Sequence, residues 1–253
     1  MRALSAAAVF AVALAAATAQ AAEIPRGNAA LRLAPTIERI ARLHAQAGQG
    51  VMAERSRRAL AEAIRDFSAT LRAALASAQG PEVRDNYMLL AMQWQDYRDW
   101  AQRPPTRETA RKLRDRTEEV SWVATKGVRL MTDASRNALA GSALRASQVA
   151  LFSQRVAKAH LWRRWDIRDE GLERELRDAR ENVPRALESL AATPELPPEI
   201  LAQVESARTQ WRFLSDAASQ LDASPGNARA LEHACKAADF MLEAMEKVMQ
   251  EAR

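Results

Sequence analysis

Two stretches of this chain set arginine and amide side chains on an otherwise apolar helical pattern, and such donors suit binding rather than catalysis. In residues 144–158, Val149, Phe152, Val156 and Ala159 recur every three or four positions and read as a core stripe. Beside it runs a row of Leu144, Gln148, Leu151 and Arg155, and the triplet Ser153-Gln154-Arg155 interrupts the apolar run. Earlier in the chain, Asn28, Arg32 and Arg39 share one face of a helix if that helix continues through Pro35. A small planar anion held inside a helical bundle needs donors projecting from facing helices, and the arginine fork supplies several at once. The candidate ligand-binding residues are therefore Asn28, Arg32, Arg39, Gln148, Ser153, Gln154 and Arg155, with a small anion as the ligand.

Other chemistry is sparse. His44 and His160 continue core stripes and read as core-edge residues, the alternative being a pair of metal or haem ligands. No Glu-x-x-His supports a di-iron site and no Cys-x-x-Cys-His a covalent haem, so neither metal nor cofactor is expected. Trp94, Trp211 and the helically spaced methionines read as packing. Cys235 is the single cysteine, cannot form an internal disulfide and lies in an apolar pattern with Ala238 and Met241, as a buried inert thiol would. Arg163, Arg164 and Arg168, flanked by Asp166, Asp169 and Glu170, read as a solvated helix end. There is no nucleophile elbow, His-Glu-x-x-His, P-loop or dinucleotide-binding fingerprint, and an enzyme is not expected.

The elements that must position these residues are helices. Only 8 of 253 residues are glycine and 5% are aromatic, while Ala, Leu, Arg and Glu dominate, which favours helix over sheet. Breakers at Gly48-Gln49-Gly50, Gln79-Gly80-Pro81, Arg103-Pro104-Pro105, Thr193 to Pro198 and Ser224-Pro225-Gly226 punctuate the pattern. Helices are predicted over 28–47, 52–78, 82–102, 109–132, 136–165, 169–191, 199–221 and from 228 to the C-terminus. Pro35 either kinks the first helix or marks its first turn. The halves also align: a shift of 116 carries Arg39 to Arg155, His44 to His160, Leu60 to Leu176 and Leu71 to Leu187. A shift of 117 brings Gln93-Trp94 onto Gln210-Trp211, and one of 118 brings Leu113 and Met131 onto Leu231 and Met249. The fold class expected is all-α, as two tandem antiparallel four-helix-bundle units. One elongated helical array without duplication is the alternative.

Residues 1–21 read as a secretory signal peptide: Arg2, an apolar run from Ala6 to Ala17, and Ala19-Gln20-Ala21 as the cleavage site. The alternative is an uncleaved anchor. No later segment is apolar for long enough to span a bilayer, so the expectation is a periplasmic protein that is not membrane-spanning once the signal is removed. With 37 basic and 32 acidic side chains the net charge of +5 is spread over a mixed surface, and nucleic acid is not an expected partner.

The segment Ala146-Ser147-Gln148-Val149-Ala150-Leu151-Phe152-Ser153-Gln154-Arg155-Val156-Ala157-Lys158 resembles the first-helix signature of the type IV pili methyl-accepting chemotaxis transducer N-terminal domain, the PilJ-type domain related to nitrate/nitrite sensors. Its sharpest point is Ser153 to Lys158. The family glycine is Ser147 here and the mid-signature arginine is Ala150. In the earlier copy, Asn28, Ala30, Arg32 and Arg39 fall on family positions, with Leu31, Ala34 and Ile37-Glu38 in place of the glycine, the central arginine and Ser-Gln. The resemblance implies PilJ-type repeats over residues 22–134 and 135–253, in which the two signature helices pair as a pseudo-symmetric set and Arg39 and Arg155 face one shared pocket; the alternative is that both arginines cap or salt-bridge neighbouring helices. It further implies a sensor-like binding or accessory protein working through a protein partner: a membrane receptor, a pilus component or a respiratory component. The alternative is a structural interaction module with no ligand.

Overall fold

A computed structural model of the chain describes residues 29–133 and 138–251. Among them are eight helices and no strand: α1 Ala29–Gly48, α2 Ala53–Ser77, α3 Pro81–Ala101, α4 Arg107–Asp133, α5 Ala138–Arg164, α6 Glu170–Ala191, α7 Pro198–Ala223 and α8 Ala228–Glu251. The protein is all-α, and the helices begin and end close to the positions read from the breakers. Pro81 and Pro198 open α3 and α7, where the missing N–H costs nothing. Asp169 caps α6 by accepting from Leu172 N at 2.8 Å. The signal-peptide reading, Asn28 and the proposed repeat boundary at 134/135 lie outside the described residues.

The first four helices contact one another in a ring, α1 on α2, α2 on α3, α3 on α4 and α4 on α1, and so do α5 to α8. The rings meet through α1 and α5, and one continuous apolar core runs through both. Sixteen of the twenty residues of α1 are buried, so α1 is an interior helix rather than an amphipathic surface one. On α5 the expected stripe residues Val149, Val156 and Ala159 are buried and Phe152 is partly so.

The helices α1 and α5 lie side by side and run in the same direction. Leu31 sits opposite Ser147, Glu38 opposite Arg155 and Lys158, and Gln49 opposite Leu161. Pro35 resolves as an interior residue of α1. Its ring nitrogen cannot donate to the carbonyl four residues back, which leaves Leu31 O without its helical partner. Ser147 Oγ fills that vacancy from α5, donating to Leu31 O at 2.6 Å. Ser147 thus supplies the hydrogen bond that Pro35 removes.

Candidate functional site at the joint between α1 and α5

Glu38 stands between the apolar Ile37 and Ile40 on α1 and is fully buried. A lone buried carboxylate is costly unless it is paired and hydrogen-bonded. Both conditions are met from α5: Arg155 Nε donates to Glu38 Oε1 at 2.9 Å and Lys158 Nζ to Oε2 at 2.5 Å. Burial pushes the Glu38 carboxyl up, and the Lys158 and Arg155 charges overcome this and hold it down at about 2. The Arg155 guanidinium is desolvated by the same burial and is held above its ordinary value by Glu38 and Glu175. Lys158 also pairs with Glu175 of α6 at 3.0 Å and lies 4.6 Å from the Trp162 ring centroid.

A matching set crosses the joint in the opposite sense. Fully buried Arg42 of α1 donates from Nε to Gln154 Oε1 and from Nη1 to Gln46 Oε1, each at 2.7 Å, and its Nη2 donates to Asp239 of α8. Gln154 Nε2 in turn donates to Ala238 O at 2.8 Å. At the shift of 116, Glu38 corresponds to Gln154 and Arg42 to Lys158, so each cation reaches across to the counterpart position on the other helix. Within the joint the three cations Arg42, Arg155 and Lys158 are matched by the three carboxylates Glu38, Glu175 and Asp239. Adding an anion would leave a buried charge uncompensated.

The structure therefore separates the two arginines expected to share a pocket. Arg155 is held by Glu38 and donates to Ser121 Oγ of α4 at 3.3 Å. Arg39 lies on the other flank, its Nε 3.8 Å from Asp239 Oδ1 and without a hydrogen-bond partner. Both arginines salt-bridge neighbouring helices, which is the alternative reading. The shared-pocket expectation placed the joint on the wrong face of α1: Arg39 is about 100° round the helix from Glu38, so Arg32 and Arg39 look toward α8 instead. Arg32 Nε donates to Glu246 Oε1 of α8 at 3.1 Å. Gln154 is inside the joint, Gln148 is half-buried on α5, and Ser153 Oγ donates to Ala150 O of its own helix at 2.8 Å. Glu38, Arg42, Glu175 and Asp239 were not singled out. Glu38 carried a local signal, an acid set among apolar residues, whereas Glu175 and Asp239 sit in ordinary surface-like patterns.

The remaining candidates are accounted for by packing. His44 and His160 are buried, and desolvation lowers both to about 4, so both are neutral at neutral pH. Among the described residues no group of three or more His, Cys, Asp or Glu side chains is placed to hold a metal. Cys235 is fully buried and burial pushes its thiol up to about 11. Trp94 packs 4.1 Å from the Phe67 ring centroid and donates to Ser68 Oγ. The basic helix end is more than a solvated one: Arg163 donates to Glu173 and, at 2.7 Å, to Asp222, tying α5 to α6 and α7. Asp169 also accepts from Arg114 of α4 at 2.8 Å. No described helix is long and apolar enough to cross a membrane. Compared with known proteins, the chain matches no family model, no curated protein and no solved structure.

Proposed function

We propose that this is a non-catalytic, sensor-like binding and accessory protein of the periplasm, built from two PilJ-type helical units whose signature helices are joined within one chain. The observation that carries the reading is the parallel, near-register pairing of α1 and α5, with Glu38 gripped by Arg155 and Lys158. A tandem duplication of a unit that pairs through its first helix would bring counterpart residues together in this way. At that joint the protein's own carboxylate takes the place of a bound anion, and nitrate or nitrite has no cation left to bind. With no membrane-crossing helix among those described, a signal would pass to a protein partner. Met88, Leu89 and Met92, exposed on the outward side of α3, offer apolar surface for such a contact.

A thermal-shift titration with sodium nitrate and sodium nitrite tests the closed joint. A ligand that binds the native state raises stability by RT ln(1 + [L]/Kd), so neither salt is expected to shift the midpoint beyond a sodium chloride control. An Arg155-dependent rise with nitrate would overturn the reading.

A further inference from the structure

The face of α1 that carries Arg32 and Arg39 borders a cavity of about 240 Å³ between α1, α2 and α8. Its charged lining is Arg39, Arg55, Asp239, Glu243 and Glu246. Two of the carboxylates have close partners inside the protein, Asp239 with Arg42 and Glu246 with Arg32 at 3.1 Å. Glu243 is held only loosely, 3.6 Å from Lys247, with its side chain 65% exposed. The cations are less well matched. Arg39 shares an already occupied Asp239 across 3.8 Å and its buried Nε has no hydrogen-bond partner. Arg55 is exposed and forms no ion pair among the described residues. Two guanidinium forks thus border one cavity with donors to spare, and a loosely held carboxylate lies at its rim.

The space is not a by-product of the repeated helices. At the shift of 116 the lining residues Gln46, Arg55, Ser56 and Ala59 correspond to Trp162, Gly171, Leu172 and Glu175. There Trp162 and Leu172 are fully buried, Glu175 is turned onto Lys158, and Arg114 reaches so close to Gly171 that a Cβ would meet its Nη2 at 2.6 Å. Equivalent backbone is filled on one side and open on the other. At ~30 Å³ per water the cavity has room for roughly eight waters, more than a bare nitrate needs.

We propose that this cleft binds an amino-acid-sized zwitterion, with its carboxylate across Arg39 and Arg55 and its ammonium on Glu243. The inference rests on the binding-protein reading but not on the closed joint. The test is calorimetry on the full chain with each of the common L-amino acids, and with acetate, ethylamine and nitrate as part-ligands. At least one amino acid binds, acetate binds more weakly by roughly tenfold, and ethylamine and nitrate give no measurable heat. Arg55→Gln weakens the amino acid by about tenfold or more. Glu243→Gln weakens the amino acid while leaving acetate unchanged. Both side chains are exposed, so the unliganded unfolding midpoint is the control for folding.

Silence across the amino-acid panel overturns the proposal, as does acetate binding as tightly as the best amino acid. Binding that survives both substitutions places the ligand elsewhere and also overturns it. Nitrate stabilisation lost in Arg155→Ala would instead sink the closed joint, so the two ideas fail separately.

Discussion

The two flanks of the α1/α5 joint, whose residues align at a sequence shift of 116, are stitched in different ways. On the α1 flank, Arg32, Arg39 and Arg42 face α8, which offers Asp239 and Glu246 as partners. On the α5 flank, the counterpart Arg155 reaches α4 at Ser121, and the α4 positions that match Asp239, Glu243 and Glu246 at the shift of 118 are Ser121, Thr125 and Val128. That seam has no acid at those positions, so Arg155 and Lys158 turn to Glu38 across the joint and Lys158 also to Glu175 on α6. Arg39 and Arg42 have basic counterparts in Arg155 and Lys158, while the acids decide where each of them points. Where the acid lies inside, the seam closes; where it lies on the far helix, a cleft stays open beside Arg39.

The largest effect is expected from the paired histidines, which occupy the same place on both flanks. Each has a folded pKa of about 4 against an ordinary 6.5, because burial disfavours the imidazolium. The unfolded chain therefore binds more protons between those values, and stability falls as pH falls from 6.5 toward 4. At pH 4.5 the two together cost on the order of 5 kcal/mol relative to pH 8. Glu38 acts with the same sign over a lower range: its contribution is intact above 4.5 and lost as pH falls toward 2. Urea midpoints at pH 8 and 4.5 measure the loss, and a His44→Gln, His160→Gln double variant should flatten it. A parent protein with equal midpoints at both pH values contradicts buried neutral histidines.

Next comes the closed flank. Glu38→Ala leaves Arg155 without its carboxylate and Lys158 with Glu175 alone, and should cost about 3–5 kcal/mol in urea unfolding. The counterpart change Gln154→Ala removes two neutral-acceptor or amide bonds, to Arg42 and Ala238 O, and should cost about 1–3 kcal/mol. Formate or acetate should recover part of the loss in Glu38→Ala and none in Gln154→Ala, because only the first leaves a hole shaped for a carboxylate between two cations. Equal costs, or no rescue, would mean that the two flanks do not differ in the way their ion pairs indicate.

Much of this arrangement was legible in the sequence, and the parts that were not have a common cause. Helix ends were readable because Pro81, Pro104, Pro198 and Pro225 break the chain locally. The shift of 116 was visible because Arg39 and Arg155, His44 and His160, and Leu60 and Leu176 stand at that spacing. The partner of each arginine was not readable, since it depends on which face of α1 meets α5, and that is settled by packing between residues more than a hundred apart. Buried Glu38 defines that face together with Leu31, Pro35 and Arg42. Arg39 looked like the ligand group because Arg155 stands 116 residues further on, yet two arginines at matching positions can serve different acids. The role of Ser147 was hidden for the same reason: read within its own helix it is one more small polar residue, and only its neighbour Leu31 shows what the hydroxyl does.

That hydroxyl offers a smaller and cleaner test. Ser147→Ala should cost about 1–3 kcal/mol by leaving Leu31 O buried and unpaired. In a Pro35→Ala background residue 35 regains an N–H that can bond Leu31 O along the helix. The cost of Ser147→Ala should then shrink by about 1 kcal/mol, and this coupling is what a double-mutant cycle reports. Additive effects would mean that the serine does not compensate for the proline.

The smallest effect belongs to the open flank and is informative for that reason. Arg39 is 27% exposed along its side chain and lies 3.8 Å from an Asp239 that Arg42 already holds. Such a pair contributes little, so Arg39→Gln should change the unfolding free energy by about 0.5 kcal/mol or less. Arg155, its counterpart, hydrogen-bonds buried Glu38, and Arg155→Gln should cost about 1.5–3 kcal/mol. The difference between the two substitutions measures how much more of the framework rests on Arg155 than on Arg39. Near-equal costs would place Arg39 in the framework as well, and the cleft beside it would lose the donors that set it apart from the filled side.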